Sequence, residues 1–174
     1  NHDTKKLESY TYDMLSKGNQ IPSNSVHTIL FGSDSLVWIG TSSAGIACFD
    51  QKTGQFRDYN VENGKLKNNN IYAVAQDSAG NVWVGTKGGL HYIDLARDTT
   101  LLYTEADGLS NASIAGIEID DRGNLWISTS LGLSFYDVKA HTFSNFYTSD
   151  GLQNNEFRRG RTSAQRRARC FSAG

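Results

Sequence analysis

The sequence predicts an all-β chain, a partial β-propeller of three complete four-stranded blades with flanking strands. Three observations predict it. First, Trp38, Trp83 and Trp126 are spaced by 45 and 43 residues. Each stands in a similar phrase: Val37-Trp38-Ile39-Gly40-Thr41, Val82-Trp83-Val84-Gly85-Thr86 and Leu125-Trp126-Ile127-Ser128-Thr129. Second, Ile21, Leu66 and Leu109 each lie 17 residues before a tryptophan and lead into an Asn-rich turn, and Leu152-Gln153-Asn154-Asn155 is a fourth such start. Third, 17 glycines against a single proline suit many tight turns. Four short strands in roughly 43 residues is the period of a propeller blade. Leucine-rich repeats are shorter, and the 3.6-residue periodicity of helical repeats is absent.

The elements follow in order. Residues 1–20 are expected to hold the outer strand of a preceding blade, at 7–12, and a connecting loop. The blades are expected at 21–65, 66–108 and 109–151, and the start of another at 152–157. Within the second blade the strands should fall near 70–76, 82–86, 90–94 and 99–104. The turn Asp77-Ser78-Ala79-Gly80-Asn81 separates its first two strands, with Asp120-Asp121-Arg122-Gly123-Asn124 as its counterpart in the third. Lys87-Gly88-Gly89 marks the next turn. Asp50, Asp94 and Asp137 close the third strands, and aromatics (Phe56, Tyr59, Tyr103, Phe143, Phe146, Tyr147) mark the outer ones. The tryptophan strand is apolar on both faces, as expected for a sheet sandwiched between neighbours. Gly40 and Gly85 should permit close backbone approach, and Ser128 keeps that position small.

The chain begins and ends mid-pattern. A closed propeller has 4–8 blades, so three leave two apolar faces bare. The expected partners are neighbouring blades and, for the isolated chain, a second copy through self-association or dimerisation. Residues 158–174 break the pattern: a tryptophan is expected at 169 and arginine stands there. The segment reads as an Arg-rich tail, either artefactual or disordered, with a divergent blade as the alternative. Its six arginines mask an acidic body, in which 11 basic residues face 18 acidic ones. That balance argues against nucleic-acid binding. No stretch reaches the ~20 apolar residues of a membrane span, so no membrane contact is expected from this segment. Cys48 reads as a buried free thiol, and no Cys or His spacing marks a metal site.

The phrases Asp77-x-x-Gly80-Asn81-Val82-Trp83-Val84-Gly85-Thr86-x-x-Gly89-Leu90 and Asp107-Gly108-Leu109-Ser110-Asn111 resemble the two-component-regulator propeller repeat. So does Asp150-Gly151-Leu152-Gln153-Asn154-Asn155-Glu156-Phe157, and the resemblance covers residues 7–157. It departs at Gly32-Ser33-Asp34-Ser35-Leu36, where Asp-x-x-Gly-Asn is expected, and at Ala112, where Asn24, Asn69 and Asn155 stand in the other repeats. The resemblance implies a fragment of a seven-bladed propeller in the periplasmic sensor portion of an inner-membrane protein. Such proteins are hybrid two-component sensors of Bacteroides-type bacteria. It further implies oligosaccharide ligands, signalling to a histidine kinase and control of polysaccharide-utilisation genes. The kinase is outside this chain, so no enzyme activity is expected of it.

No nucleophile motif such as GxSxG occurs. Gly85-Thr86-Lys87-Gly88-Gly89 lacks the spacing of a phosphate loop, and no cofactor is expected. The turn aspartates Asp77 and Asp120 lack the ligand run of a calcium loop and are read as accepting hydrogen bonds from their own turns. The tryptophans recur in every repeat and are read as inter-blade scaffold. A binding site is better sought among residues that break the repeat, at the mouth. There Lys87, Tyr72 and His27 are candidates, with Asn69 and Asn111, and Asn68 beside them. The alternatives are a streptogramin-lyase-like enzyme, which needs His, Glu and a metal converging at the mouth, and a purely structural or dimerising propeller.

Overall fold

The computed structural model describes residues 9–13 and 19–152. Part of the expected strand at 7–12, nearly all of the blade start at 152–157 and the whole tail with Cys170 lie outside them.

Twelve strands among the described residues form three antiparallel four-stranded sheets. The first holds β1 (Val26–Phe31), β2 (Leu36–Thr41), β3 (Ile46–Asp50) and β4 (Gln55–Tyr59). The second holds β5 (Ile71–Gln76), β6 (Val82–Thr86), β7 (Gly89–Asp94) and β8 (Thr99–Tyr103). The third holds β9 (Ile114–Ile119), β10 (Leu125–Thr129), β11 (Gly132–Asp137) and β12 (Thr142–Phe146). Each sheet is a meander, its strands paired in chain order. The inner strands β1, β5 and β9 lie against one another in succession. The sheets are therefore blades fanned about a common inner side.

Side-chain alternation gives each blade two faces. On β2, Trp38 pairs with Leu30 of β1 and Cys48 of β3, so the three share the face toward the second blade. There they meet Ile71, Val82 and Val84 in one apolar cluster. Trp83 does the same one blade on, meeting Leu125, Ile127 and Tyr136. Trp38 is 0% exposed and Trp83 4%. Trp126 holds the same register but is 37% exposed. It rests on Phe135 and Phe146 of its own blade, at ring distances of 4.8 and 5.9 Å. The expected inter-blade role thus holds for two tryptophans, while the third faces the open end of the fan. At the opposite end Val26, Ile29 and Phe31 are exposed.

Gly40 and Gly85 make the stacking possible. A Cβ on Gly40 would sit 2.6 Å from Ile71 Cγ2, and one on Gly85 would sit 2.5 Å from Ile114 Cγ2. The next blade's inner strand nests directly on these glycines. Serine is tolerated at 128 because its cross-strand partner is Gly116. Each such pair (Thr28 with Gly40, Ala73 with Gly85, Gly116 with Ser128) contains one glycine.

The turn aspartates hold their own backbones. Asp77 Oδ1 accepts from the N–H groups of Ala79 and Asn81 at 2.9 Å each, and Asp120 Oδ1 from those of Arg122 and Asn124 at the same distance. The departing first repeat makes a short 3-10 turn over Ser33–Ser35 instead. Asp34 and Ser35 take φ of 56° and 67° there, a left-handed conformation that costs a non-glycine residue about 1–2 kcal/mol. Gln76 of the second blade offsets part of this cost. Its Oε1 accepts from Ser33 N–H at 2.6 Å while its Nε2 donates to Gly80 O.

The described residues before the first blade, 9–13, form no strand. Tyr10 lies on Phe49 and Phe56 at 4.9 and 5.7 Å, covering part of the first blade's outer face. Asn24 exchanges hydrogen bonds with the Tyr12 backbone, at 2.7 and 3.1 Å.

Candidate functional site

One end of the fan is formed by the loops leading into the inner strands and by the turns between the second and third strands. The two sets are tied together. Gly45 N–H donates to Asn69 O at 3.0 Å, and Gly89 N–H to Ala112 O at 2.8 Å, each across a blade boundary. A buried threonine shapes every turn. Thr41, Thr86 and Thr129 donate to the carbonyls of Gly45, Gly89 and Gly132, and accept from the N–H groups of Ala44, Gly88 and Leu131.

The asparagines named as candidates serve this framework. Asn69 Oδ1 accepts from Val61 N–H at 2.8 Å, and its Nδ2 donates to both Glu62 carboxylate oxygens at 3.1 Å. Asn24 holds Tyr12 in the same way. At the third repeat Ala112 has no amide to offer, and Glu105 Oε1 instead accepts its N–H at 2.7 Å. Asn111 Oδ1 accepts from Ser113 N–H, as Asn68 Oδ1 does from Asn70 N–H and Ser23 Oγ from Ser25 N–H. Asn68, Asn69 and Asn111 therefore carry repeat-wide duties.

His27, Tyr72 and Lys87 do not. Opposite Gly40–Thr41 the inner strand β1 carries one extra residue between Val26 and Thr28. The same extra residue stands between Ile71 and Ala73, and between Ile114 and Gly116. Every described blade thus has a β-bulge at the mouth end of its inner strand, at His27, Tyr72 and Ala115. A bulge re-aims a side chain out of the pleat. The first two meet across the blade boundary, with rings stacked at 6.0 Å and 21° apart. His27 Nδ1 lies 3.3 Å from Ile71 O. A carbonyl only accepts, so this contact is a hydrogen bond with Nδ1 as the donor. Lys87 is exposed on the turn just beyond Thr86, whose partner is Ile71. Ala115 had no signal in the sequence beyond its register with His27 and Tyr72.

His91 is the histidine whose role sequence reasoning missed. It is buried on β7, and its Nε2 accepts from Lys67 N–H at 3.0 Å. Ser134 is its counterpart in the third blade and accepts from Ser110 N–H at 3.0 Å. In the first blade the counterpart is Ala47, which cannot accept, but the residue facing it in the repeat is Pro22, which has no N–H to donate. The pairs Pro22 with Ala47, Lys67 with His91 and Ser110 with Ser134 each leave the lead-in loop satisfied, and that pairing was readable from the aligned repeats. Burial, with a further push from the Lys67 ammonium, pulls His91 down from 6.5 to about 4.

His141 lies elsewhere, its Nδ1 3.1 Å from the Tyr136 hydroxyl. The three described histidines thus occupy three separate environments. No group of three metal-ligating side chains is found among the described residues. A pocket of about 450 Å³ on the rim between the first two blades contains Cys48, Arg57 and Tyr59. Cys48 is free, and burial pushes its thiol up to about 11, which keeps it a protonated packing residue.

The family described as two component regulator propeller matches residues 20–43, 65–88 and 108–130. Those are the three stretches that carry the lead-in loop, the bulged inner strand and the tryptophan strand. The chain carries three two-component-regulator propeller repeats. Among solved structures these repeats are similar to the extracellular domain of a protein described as a hybrid two component system of B. thetaiotaomicron. The identity is 29% and the TM-score 0.74, over 86% of this chain and 20% of that one. A second such domain from the same organism matches at 24% identity and a TM-score of 0.67, over 80% and 20%. The chain thus spans one fifth of the length of these relatives. Virginiamycin B lyase from Staphylococcus aureus shares the fold at 17% identity and a TM-score of 0.60, over 75% of this chain and 42% of that one. A search of curated proteins found no match. No helix among the described residues is long and apolar enough to cross a membrane.

Proposed function

We propose that these blades belong to the periplasmic sensing propeller of a hybrid two-component sensor. In that reading the propeller binds oligosaccharides at its mouth, and its ligand state biases a histidine kinase across the inner membrane. The output is expression of polysaccharide-utilisation genes. The observation that carries the reading is the 29% identity to an extracellular hybrid-system domain, sustained over 86% of the chain. The mouth adds support, because its exposed turn carries Lys87 and its inner-strand bulges carry the aromatic and polar residues Tyr72 and His27. Coupling of this kind requires the ligand to favour one receptor conformation over another.

The test is genetic. Deleting the gene that encodes these blades should abolish the transcriptional response of polysaccharide-utilisation genes to one class of glycan, and restoring it should bring that response back. An unchanged response to every glycan on which the host grows would end the proposal.

A further inference from the structure

In each blade the tryptophan shares a face with its cross-strand partners, and on that face three positions of the first blade depart from the repeat together. Trp38 pairs with Cys48, and Cys48 with Arg57. The same row reads Trp83, Tyr92 and Leu101 in the second blade, and Trp126, Phe135 and Ser144 in the third. The later blades therefore lay a second aromatic ring beside the tryptophan, at 4.5 and 4.8 Å, where the first has only a thiol. Two residues before each tryptophan stand Leu36, Asn81 and Asn124. The two asparagines accept from the N–H groups of Leu95 and Val138, whereas Leu36 offers apolar surface. Leu36, Cys48 and Arg57 all line the pocket of about 450 Å³ between the first two blades, together with Leu95 of the second. One boundary further on, Tyr92 and Val138 both pack against the apolar cluster. The pocket thus stands where the repeat elsewhere supplies a ring.

We propose that this pocket binds a small aromatic carboxylate, with its ring in the room left by Cys48 and its carboxylate on Arg57. The inference is independent of the sensing reading, because Leu36, Asp50 and Gln55 place the pocket at the strand ends away from the mouth. A cavity of about 150 Å³ is enough for benzene, so about 450 Å³ takes a ring with a short acid-bearing arm. A guanidinium presents its donors in a planar fork that matches a carboxylate. Among the described residues the ion pairs join Lys65 to Asp98 and Arg97 to Asp94, and Arg57 is in neither. Its electrostatic neighbours are Tyr59, Cys48 and Asp98, and Asp98 is already held by Lys65 at 2.6 Å. The carboxylate in the lining, that of Asp50, has a repeat-wide duty. Its Oδ1 accepts from the N–H groups of Lys52 and Thr53, as Asp137 Oδ1 accepts from those of Lys139 and Ala140. The polar group that breaks the repeat is therefore a cation, standing beside the room for a ring.

The experiment titrates the chain with benzoate, phenylacetate and 3-phenylpropionate, with benzamide as the neutral control and acetate as the control without a ring. Binding is read by nuclear magnetic resonance from the Arg57 Nε–H and Tyr59 ring signals. The expected result is that at least one aromatic acid moves both sets of signals, while benzamide and acetate bind at least about tenfold more weakly. R57L, which copies Leu101, should weaken the binding of that acid about tenfold, which is about 1.4 kcal/mol. Arg57 is exposed, so R57L should keep the wild-type unfolding curve. C48F, which copies Phe135, should abolish binding by filling the room for the ring, with the midpoint of urea unfolding at or above that of wild type. C48L fills part of the same room with a smaller side chain and should weaken binding as well, so the filling test survives a C48F chain that does not fold. If none of the three acids binds, or benzamide binds as tightly as they do, the proposal is overturned. It is equally overturned if an acid binds R57L and the Cys48 variants as tightly as wild type. The sensing proposal stands in each case, since it rests on the relatives and the mouth.

Discussion

Replacing His91 tests how the lead-in loops are held. Its imidazole is buried, with Nε2 3.0 Å from Lys67 N–H. H91A removes the acceptor of that part-buried N–H, which costs up to about 1–3 kcal/mol before any loss of packing. K67P alone strands the acceptor instead, at a similar cost. The double variant K67P/H91A recreates the pairing of Pro22 with Ala47, so the two losses should not add. The double-mutant cycle should show about 1–3 kcal/mol of favourable coupling. H91S recreates the Ser110–Ser134 arrangement and keeps an acceptor in place. The pH dependence supplies an independent readout. His91 is held at about 4 in the fold against 6.5 when free. Below pH 6.5 the unfolded chain takes up a proton that the folded chain refuses. Stability present above 6.5 is therefore lost as pH falls toward 4, at up to about 1.4 kcal/mol per pH unit and about 3 kcal/mol in all. Asp50, Asp94 and Asp98 also lie below their usual range, held down by the Lys52 N–H, the Arg97 N–H and the Lys65 side chain. Their contribution has the same sign but is lost at lower pH, below the ordinary carboxylate range. The measurement is therefore the difference between wild type and H91S in urea unfolding, from pH 7.5 to about 4.5. A coupling energy indistinguishable from zero would refute the loop-satisfaction argument. Parallel pH curves for wild type and H91S would refute the buried neutral imidazole.

Three further expectations follow from the stacking. W83A should cost about 3–5 kcal/mol by opening a cavity between blades, whereas W126A, at a position 37% exposed, should cost far less; equal losses in urea unfolding would contradict the blade order. G85V should destabilise by at least about 1–3 kcal/mol, since its Cβ would lie 2.5 Å from Ile114 Cγ2; a neutral result would mean the blades do not nest on this glycine. The isolated chain should self-associate through its open faces, so size-exclusion chromatography should show a concentration-dependent shift that F31S/W126S reduces. A dilution-independent monomer would count against that.

The parts of the fold that the sequence made legible are those dictated by backbone geometry. Asp-x-x-Gly-Asn turns, the 45- and 43-residue tryptophan spacing and the large–small alternation all repeat because each blade solves one packing problem. The second-blade strands fall within a residue of the expected bounds for that reason. The illegible parts depend on what lies opposite a residue. Asn69 and Asn111 are polar and near the inner strand, and only the structure shows that Asn69 bonds Val61 N–H and the Glu62 carboxylate while Asn111 Oδ1 accepts from Ser113 N–H. Trp126 looked equivalent to Trp38, but burial belongs to a pair of blades and not to a residue. The bulge was invisible because one extra residue in a six-residue strand leaves the alternating pattern almost unchanged.

That extra residue sits under different constraints from its neighbours. Residues in register with a partner strand are constrained on both sides. Thr28 needs Gly40 opposite it, Gly116 accommodates Ser128, and both sets are constrained again by the next blade. A change there must be matched by a second change, as the pairing of Pro22 with Ala47 and of Lys67 with His91 illustrates. The bulge residue has no register partner on the adjoining strand, and it changes from histidine to tyrosine to alanine along the three blades. A115Y, which copies the residue of the second blade, should therefore leave urea unfolding unchanged. A loss of stability comparable with that of G85V would show that the bulge is as constrained as the rest of the blade.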